Sequence, residues 1–310
     1  MMSEHNPVLL EKTIEYLKIK PDGIYFDGTL GRGGHSKAII DKLSKGDGLL
    51  LGTDKDLKAI EYCKENLPDN QTKLYHESYT AIPEILSNLG ISGLDGIVLD
   101  LGVSSPQLDN VERGFSYSKS APLDMRMDKT QSLTAKKIVN NYSVDKLNDI
   151  IYKYGEERWA SRIAEFIVRE RQKEPINTTG DLVDIIKMAI PASARNSGGH
   201  PARRTFQAIR IETNQELNEL EKILELIPSI LNKGGRACII SFHSLEDRLV
   251  KHSFRDAAKE CVCPPEIPVC RCDKEKTLKV ITRSPVTAGE KEIEENRRAR
   301  SAKLRVAERI

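Results

Sequence analysis

The stretch that decides the fold is Phe26-Asp27-Gly28-Thr29-Leu30-Gly31-Arg32-Gly33-Gly34-His35, which is followed further along by an acidic residue, Asp54. The apolar run before it predicts a buried strand, and residues 36–43 after it predict an amphipathic helix. The glycines between them let the backbone turn sharply and approach a ligand, because no Cβ intervenes. Asp54 lies about 20 residues beyond the last glycine, where a strand-end carboxylate binds ribose hydroxyls. This combination predicts a site for a nucleoside-containing cofactor.

The spacing of the glycines indicates which nucleoside cofactor is bound. Their order does not match the G-x-G-x-x-G pattern of dinucleotide-binding loops. Asp27 is also unfavourable beside a pyrophosphate, because two like charges would meet in a cleft of low dielectric constant. A carboxylate there suits the ammonium and sulfonium groups of S-adenosyl-L-methionine. The loop therefore favours S-adenosylmethionine, with a nicotinamide cofactor and a ligand-free glycine turn as the alternatives.

Strands and helices alternate regularly over the first 100 residues. Such alternation predicts an α/β fold with a parallel, Rossmann-like sheet covered by helices on both faces. The predicted strands are Ile24–Asp27, Leu49–Asp54, Thr72–His76 and Gly96–Leu101. Ligands of such sheets bind at the carboxyl ends of the strands. We therefore expect four residues that lie at or just past predicted strand ends to meet at one edge: Asp27, Asp54, Tyr79 and Asp100.

The alternation stops near residue 110, and a helical pattern continues to residue 213. A strand at 237–242 then resumes the sheet. The simplest architecture is a discontinuous Rossmann-type domain, residues 1–109 and 214–310, split by an all-helical insertion, residues 110–213. At 310 residues the chain is long enough for this arrangement. We expect the insertion to recognise the substrate.

Composition sets limits on the cellular context. Charged residues make up 30% of the chain and apolar residues 39%, which is ordinary for a globular protein. No apolar run approaches the ~20 residues that span a bilayer, and the first residues do not form a signal peptide. We expect a cytoplasmic protein without a membrane partner. Because the net charge is only +2, any surface for nucleic acid must come from local clusters.

Four of the six cysteines lie close together near the C-terminus, at positions 261, 263, 270 and 272. Thiolates at this density could bind zinc, but the Cys-x-Cys spacing is tighter than the usual zinc knuckle. A surface loop stiffened by proline is the preferred interpretation, and no metal is expected. Cys63 and Cys238 lie in apolar segments and are predicted to be core residues.

Several phrases, taken together and in order, resemble one family across nearly the whole chain. The phrases are His5-Asn6-Pro7-Val8-Leu9-Leu10, the glycine stretch 27–35, Asp100-Leu101-Gly102-Val103-Ser104-Ser105-Pro106-Gln107, Pro122-Leu123-Asp124-Met125-Arg126-Met127-Asp128, Arg204-Thr205-Phe206-Gln207-Ala208-Ile209-Arg210-Ile211 and Ser241-Phe242-His243-Ser244-Leu245-Glu246-Asp247-Arg248. Each is modest alone, but in this order the set resembles the bacterial small-subunit ribosomal RNA methyltransferase H family, also called MraW.

The resemblance implies a class I methyltransferase that methylates the exocyclic N4 of one cytidine in the decoding region of 16S ribosomal RNA. Its methyl donor would be S-adenosylmethionine, and its partner the small-subunit RNA, within a small-subunit particle. By motif position, the residues implied to bind the cofactor are Gly33, Gly34, His35, Asp54, Tyr79, Asp100 and Gln107. A homodimer is compatible with the sequence but not required by it.

Catalysis by such an enzyme requires groups that orient the amine. Other amino-methylating families use a short acidic or amide loop after the fourth strand for this purpose. Asp100, Ser104 and Ser105 occupy the equivalent place here and are the candidates to orient N4. A catalytic cysteine is not needed, because the amine attacks the methyl group directly.

Basic and aromatic residues supply the candidates for RNA contact. Arg113 and Arg126 are candidates for phosphate contact, Phe115 and Tyr117 for stacking on an extruded base, and His243 for either. Arg204 belongs to a basic loop with Arg195, His200, Arg203 and Arg210. The arginines and lysine of 297–309 predict a basic helix or tail at the C-terminus.

Four other functions stay open at this point. A nicotinamide-dependent oxidoreductase would need a different glycine spacing. A non-catalytic ribosome-assembly protein would be marked by a degenerate cofactor loop, and this loop is intact. A methyltransferase for another RNA base, or for DNA or a small molecule, is separated only by the family resemblance and by the basic insertion.

Overall fold

The computed structural model describes residues 7–195, 199–261, 263 and 271–310. His5, Asn6, Gly198 and Cys270, which the sequence analysis singled out, lie outside this part of the chain. The chain divides into two compact units. The first, the sheet unit, comprises Met1–Gly102 and Leu217–Ile310, and the second, the helical unit, comprises Val103–Glu216.

The sheet unit is built on one sheet of seven strands in the order β3-β2-β1-β4-β5-β7-β6. Strands β1 to β5 pair in parallel, and β7 pairs antiparallel with β5 and β6. The strands are β1 Ile24–Asp27, β2 Leu49–Thr53, β3 Thr72–Tyr75, β4 Leu94–Asp100, β5 Leu231–Ser241, β6 Leu278–Val280 and β7 Lys303–Arg309. This order, with its one antiparallel insertion, confirms the predicted α/β class and Rossmann-like methyltransferase sheet.

Fourteen α-helices lie in the described residues, and none of them is long and apolar enough to span a bilayer. They are α1 Leu10–Leu17, α2 Gly34–Leu43, α3 Leu57–Asn66, α4 Ile82–Leu89, α5 Ser105–Asp109, α6 Ala135–Asn141, α7 Val144–Gly155, α8 Ala160–Arg171, α9 Thr179–Ala189, α10 Ala192–Arg195, α11 Arg203–Asn214, α12 Glu216–Ile230, α13 Ser244–Ala257 and α14 Glu290–Glu295.

The sheet buries apolar side chains on both faces. Successive residues of a strand point to opposite sides, so Tyr25 and Phe26 enter different hydrophobic clusters. Leu50 and Leu51 divide between the same two clusters. Continuous apolar strands of this kind are typical of a parallel sheet covered by helices on both sides. The carboxyl ends of β1, β2, β3 and β4 therefore meet at one edge of a rigid sheet.

The C-terminus differs from the prediction of a basic helix or tail. Residues 297–301 form a short 3₁₀ helix, and Lys303–Arg309 form β7, between β5 and β6. Leu304 and Val306 are fully buried, and the guanidinium of Arg305 donates to Asp247 at 2.6 Å. The segment is a strand because it pairs with β5 and β6, so this end of the chain completes the sheet.

The helical unit has a core of its own. Buried aliphatic side chains from α6, α7, α8, α9 and α11 form one cluster. Caps fix the starts of its helices: Ser143 accepts the N–H of Lys146 at α7, and Thr178 accepts that of Asp181 at α9. Trp159 and Phe166 pack only partly against this core, which leaves both aromatic side chains partly accessible.

Candidate functional site

The glycine loop between β1 and α2 is held to the ends of the neighbouring strands. Gly28 donates its N–H to Val98 on β4 at 3.0 Å, and Leu30 donates to Thr53 on β2 at 3.2 Å. Gly31 and Gly33 have φ values of 51° and 70°, in the left-handed region that favours glycine. The loop is therefore a fixed turn of the backbone at the carboxyl edge of the sheet.

Two further glycines are required by close packing. A Cβ on Gly28 would lie 2.4 Å from a methyl carbon of Leu99 and 2.7 Å from the Cβ of Tyr79. A Cβ on Gly34 would lie 2.1 Å from the ring of Pro7. Gly33 is the N-cap of α2, with no side-chain cap, so the first turn of the helix is not capped by its own sequence. Backbone N–H groups at a helix start of this kind favour a polar or anionic ligand group.

Asp54 follows β2 and is tied to the glycine loop. Its Oδ2 accepts the N–H of Gly31 at 2.8 Å, and its Oδ1 accepts the N–H of Asp56 at 2.8 Å. Burial raises the pKa of Asp54 to about 6, against the opposing effect of these two amides. The carboxylate keeps further lone pairs, which can accept hydroxyl protons from a ligand.

The sequence predicts that Asp27 faces the cationic end of the ligand, but the structure buries this residue. It is 1% exposed, and its oxygens accept the N–H of Thr29 and the hydroxyl of Ser36, the latter at 2.7 Å. Burial raises its pKa. Asp27 therefore fixes the glycine loop from beneath, and a cationic ligand must be met by another carboxylate.

Asp100, at the end of β4, is that carboxylate. Its side chain is 25% exposed. Its Oδ1 is buried and has no hydrogen-bond partner among the residues that the structure describes. Burial raises the pKa of Asp100 to about 8, and the charges of Asp27 and Glu246 add to the effect. A buried acceptor without a donor is costly, so the site is complete only when a ligand donates to it.

His35 lies beside Asp100 in the first turn of α2. Its Nε2 is 3.2 Å from the carbonyl oxygen of Val8, and its Nδ1 is 3.9 Å from Oδ2 of Asp100. Because a carbonyl only accepts, the proton of the neutral ring lies on Nε2, and Nδ1 is an acceptor. Burial lowers the pKa of His35, which keeps the ring neutral. His35 therefore adds no positive charge beside Asp100.

Tyr79 follows β3 at the same edge, at the start of a short 3₁₀ helix. It is buried, and it belongs to the cluster on one face of the sheet. Asp54, Tyr79 and Asp100 thus lie at the ends of β2, β3 and β4, at the same edge of the sheet as the glycine loop that follows β1. The three residues at the carboxyl edge, together with Gly33, Gly34 and His35, form the cofactor-site candidates of the sheet unit.

Gln107, Ser104 and Ser105 lie in the helical unit, at the start of α5. The side-chain oxygen of Gln107 accepts the N–H of Ser104 at 3.0 Å, and Gln107 is buried. Ser104 is the N-cap of α5 and Ser105 its first residue. Both serines are half-buried, so their hydroxyls stand on a fixed helix start.

Two of the predicted phosphate contacts are instead structural. Arg113 is 4% exposed, and its guanidinium donates to the carbonyl oxygens of Arg126 and Met127 at 3.0 and 2.9 Å. Arg126 binds Asp124 through two hydrogen bonds of 2.7 and 2.9 Å and two carbonyls of the same loop. Both arginines hold the loop around 124–131 in place. The prediction that they contact RNA phosphates is wrong for Arg113, which is buried, and unsupported for Arg126.

The two aromatic residues predicted to stack on a base, Phe115 and Tyr117, differ in their burial. Phe115 is buried in the core of the helical unit, which excludes it from stacking on a base. Tyr117 is half-buried and stacks on His200, with ring centroids 4.5 Å apart and planes 14° apart. Both aromatics pack against the core of the helical unit, Phe115 as a buried residue and Tyr117 as a partly buried one.

The last two RNA candidates have different surroundings. Arg204 is exposed, and it donates to the carbonyl of Glu156 at 2.9 Å, so its charge stays available. His243 instead caps α13: its Nδ1 accepts the N–H of Glu246 at 3.3 Å, and its Nε2 lies 3.2 Å from the carboxylate of Glu246. We therefore assign His243 to the helix start rather than to RNA.

A basic and aromatic surface at α8 was missed by the sequence analysis. The guanidinium groups of Arg162 and Arg169 lie 5.3 and 3.9 Å from the ring centre of Phe166, and that of Arg158 lies 5.4 Å from the ring of Trp159. Arg162 and Arg169 are seven residues apart on α8 and share one face of the helix, and Arg158 lies in the turn just before it. The sequence does show arginines interleaved with aromatic residues at 158–169, a pattern typical of surfaces that bind nucleic acid. The longer runs of charge elsewhere in the chain drew attention away from it.

A cavity of about 500 Å³ lies at one end of this surface. It is lined by Arg158, Trp159, Pro191, Ser193 and Ala194. The Nε1 of Trp159 is buried and has no hydrogen-bond partner among the described residues. An indole N–H of this kind is normally satisfied. The cavity itself offers the side chain of Trp159 and the cation of Arg158 to a ligand.

Comparison with known proteins shows which family the chain matches. Residues 2–310 match the family model described as the MraW methylase family. The chain is 58% identical over 310 residues to the ribosomal RNA small subunit methyltransferase H of Halothermothrix orenii, covering 100% of this chain and 99% of that protein. It is 54% identical to the proteins of the same name from Clostridioides difficile and Caldicellulosiruptor bescii, with full coverage of both chains in each case.

Proposed function

Since the chain belongs to the MraW methylase family, we propose that it transfers a methyl group from S-adenosylmethionine to the exocyclic N4 of one cytidine in the decoding region of small-subunit ribosomal RNA. The names of these relatives specify the small-subunit RNA as their substrate. The observation that carries the proposal is the pair of carboxylates at one sheet edge, Asp54 on the glycine loop and Asp100 with its unpartnered oxygen.

The cofactor fits this edge residue by residue. Asp54 would accept the ribose hydroxyls, and the N–H groups at the uncapped start of α2 would face polar atoms of the ligand. Asp100 would accept from the ammonium of the methionine end, which satisfies its buried Oδ1. A nicotinamide dinucleotide fits less well, because its pyrophosphate would meet the carboxylate of Asp100 at close range. When bound, S-adenosylmethionine supplies a methyl group activated by its sulfonium.

The residues of this chain then have to make a weak nucleophile react. The lone pair of a cytosine amine is delocalised into the ring, which makes the amine a poor nucleophile. Correct positioning of the two reactants therefore gives the largest reduction of the activation barrier, up to about 7–11 kcal/mol. Acceptors placed at the amine protons add a smaller share. We propose that Asp100, Ser104 and Ser105 provide these acceptors, and that no side chain of the protein forms a covalent bond to the base.

The helical unit would recognise the RNA. The exposed Arg158, Arg162 and Arg204 can neutralise phosphates, and the partly accessible Trp159 and Phe166 offer stacking faces. The cavity beside Trp159 has the size of a small-molecule or base pocket. A folded RNA of this kind is present in small-subunit particles, so we propose the particle as the substrate and the cytoplasm as the location.

Replacing Arg158 and Arg162 together by alanine is expected to weaken RNA binding about tenfold while leaving the affinity for S-adenosylmethionine unchanged. Two lost phosphate contacts should also reduce the salt dependence of binding, by about 0.7 per contact in the slope of log K against log salt. The matched control replaces Lys153 and Lys173, which are exposed and paired with Asp149 and Glu170. Filter binding over a salt series measures both quantities, and an unchanged slope in the double arginine variant would contradict the assignment.

Transfer of a labelled methyl group tests the proposed function itself. The donor is S-adenosylmethionine, and the acceptors are small and large ribosomal subunits from cells that lack this protein. We expect label in the small-subunit RNA only. Cofactor binding without transfer to either RNA would favour a non-catalytic assembly protein, and label in both would remove the claim of specificity.

A further inference from the structure

The connection from α13 to β6 is long and spans residues 258–277. Its base is closed by the N–H of Thr277, which donates to the carbonyl of Ala257 at 2.9 Å. Between these two residues, no described residue is buried and none belongs to a helix or strand. The described residues of this connection are therefore not anchored by apolar burial, so another kind of link would have to hold them.

Three thiols meet within this connection. The sulfurs of Cys261, Cys263 and Cys272 all lie within 4.8 Å of one another. Those of Cys261 and Cys272 are 3.7 Å apart. Four sulfurs bound tetrahedrally to zinc at about 2.3 Å are separated from one another by about 3.8 Å. The separation is too long for a disulfide, whose sulfurs lie about 2.0 Å apart, and it matches two ligands of one ion.

The backbone around the thiols is arranged to support negative charge on sulfur. The N–H of Cys263 points to the sulfur of Cys261 at 3.3 Å, and the N–H of Arg271 points to the sulfur of Cys263 at 3.4 Å. Hydrogen bonds from backbone amides stabilise thiolates, the form that binds metals. These two contacts are independent of the distances between the sulfurs, and they point to the same kind of site.

We propose that Cys261, Cys263 and Cys272 supply three of the four ligands of a structural zinc ion that closes the connection between α13 and β6. Thiolates select soft or borderline ions, and a cluster of thiolates is the usual ligand set of structural zinc. This proposal differs from the sequence analysis, which preferred a loop without metal because the Cys-x-Cys spacing is tight. The spacing is compensated by the chain returning to place Cys272 opposite Cys261.

Alkylation of the purified wild-type protein tests the site without any substitution. Cys261 is exposed, so iodoacetamide can reach its thiol unless a metal ion binds it. We expect its thiol, with those of Cys263 and Cys272, to resist iodoacetamide until a zinc chelator is added, as read by peptide mass spectrometry. Cys63 and Cys238 are internal controls, because burial raises their pKa to about 12 and protects them with or without chelator.

Metal analysis of the protein grown with zinc gives the second readout. We expect one zinc ion per chain, its loss in Cys261→Ser and Cys272→Ser, and its retention in the neighbouring control Asp273→Asn. Cobalt substitution should give the visible bands of a tetrahedral site, whose thiolate charge-transfer intensity counts the sulfur ligands. A metal-free wild-type protein whose exposed thiols react immediately, or one with a disulfide between Cys261 and Cys272, would overturn the proposal.

Discussion

Asp54→Ala is expected to weaken the binding of S-adenosylmethionine about 100-fold. The carboxylate would bind the ribose hydroxyls, and hydrogen bonds to a charged group contribute about 1.5–3 kcal/mol each. A loss of roughly 3 kcal/mol corresponds to about two orders of magnitude in the dissociation constant. The substitution also leaves the N–H of Gly31 without its acceptor, which adds to the loss. Isothermal titration of the purified variant measures the effect.

A truncated ligand separates recognition of the ribose from recognition of the amino acid. 5′-Methylthioadenosine has the adenine and ribose of the cofactor but lacks the ammonium and carboxylate. Asp54→Ala should weaken the binding of this ligand as strongly as that of the cofactor. Asp41→Asn, an exposed carboxylate on α2, serves as the charge control and should change neither affinity. If Asp54→Ala kept normal affinity for both ligands, the ribose assignment would be wrong.

Asp100→Asn is expected to lower kcat/KM for S-adenosylmethionine by 10- to 100-fold, as about 1.5–3 kcal/mol is lost with a charged acceptor. The same substitution should leave the affinity for 5′-methylthioadenosine almost unchanged, because that ligand has no ammonium group. If Asp100 also orients the amine of the base, kcat falls together with the affinity. A variant that binds the cofactor normally and turns over normally would exclude both roles.

The pH dependence provides a further test of Asp100. Its pKa is raised to about 8 in the folded protein. Without cofactor, the folded protein therefore keeps this proton over a pH range in which the unfolded chain has already lost it. The carboxyl therefore destabilises the free protein progressively as the pH rises from about 4 towards 8. A cationic ligand favours the ionised form, so cofactor affinity should rise with pH up to about 8.

Measurements from about pH 7 upwards isolate this group, because the pKa of Asp54 is about 6 and that carboxyl has then ionised. We expect affinity to rise with pH in the wild-type protein and to be nearly flat in Asp100→Asn. The free Asn variant should also melt at a higher temperature than the wild-type protein at pH 8. An Asn variant with the wild-type pH profile would contradict the assignment.

The parts of the fold that follow from local patterns could be predicted. β1 covers its predicted residues, and β2 and β3 each end one residue earlier than predicted. Asp54 and Asp100 were predicted to meet at one sheet edge because parallel strands with helical connections place their carboxyl ends together. The glycine loop was readable for the same reason: its turn depends on residues that are neighbours in the chain.

The parts that depend on distant contacts were not predictable. β7 is a strand because β5 and β6 pair with it, whereas its own composition reads as a basic tail. Arg113 is buried because the carbonyls of 126 and 127 accept its guanidinium, and no local pattern announces such partners. The thiols of Cys261 and Cys272 approach only because the chain returns on itself. In each case the residue types alone suggested an exposed segment, whereas contacts with residues distant in sequence determined the structure.

The most direct measurement is the identity of the modified nucleoside. Small ribosomal subunits from cells lacking this protein would be incubated with the purified enzyme and S-adenosylmethionine, and the RNA digested for mass analysis of its nucleosides. The account predicts N4-methylcytidine, formed by the wild-type protein and strongly reduced with Asp100→Asn. A different methylated nucleoside, or none although the cofactor binds, would contradict it.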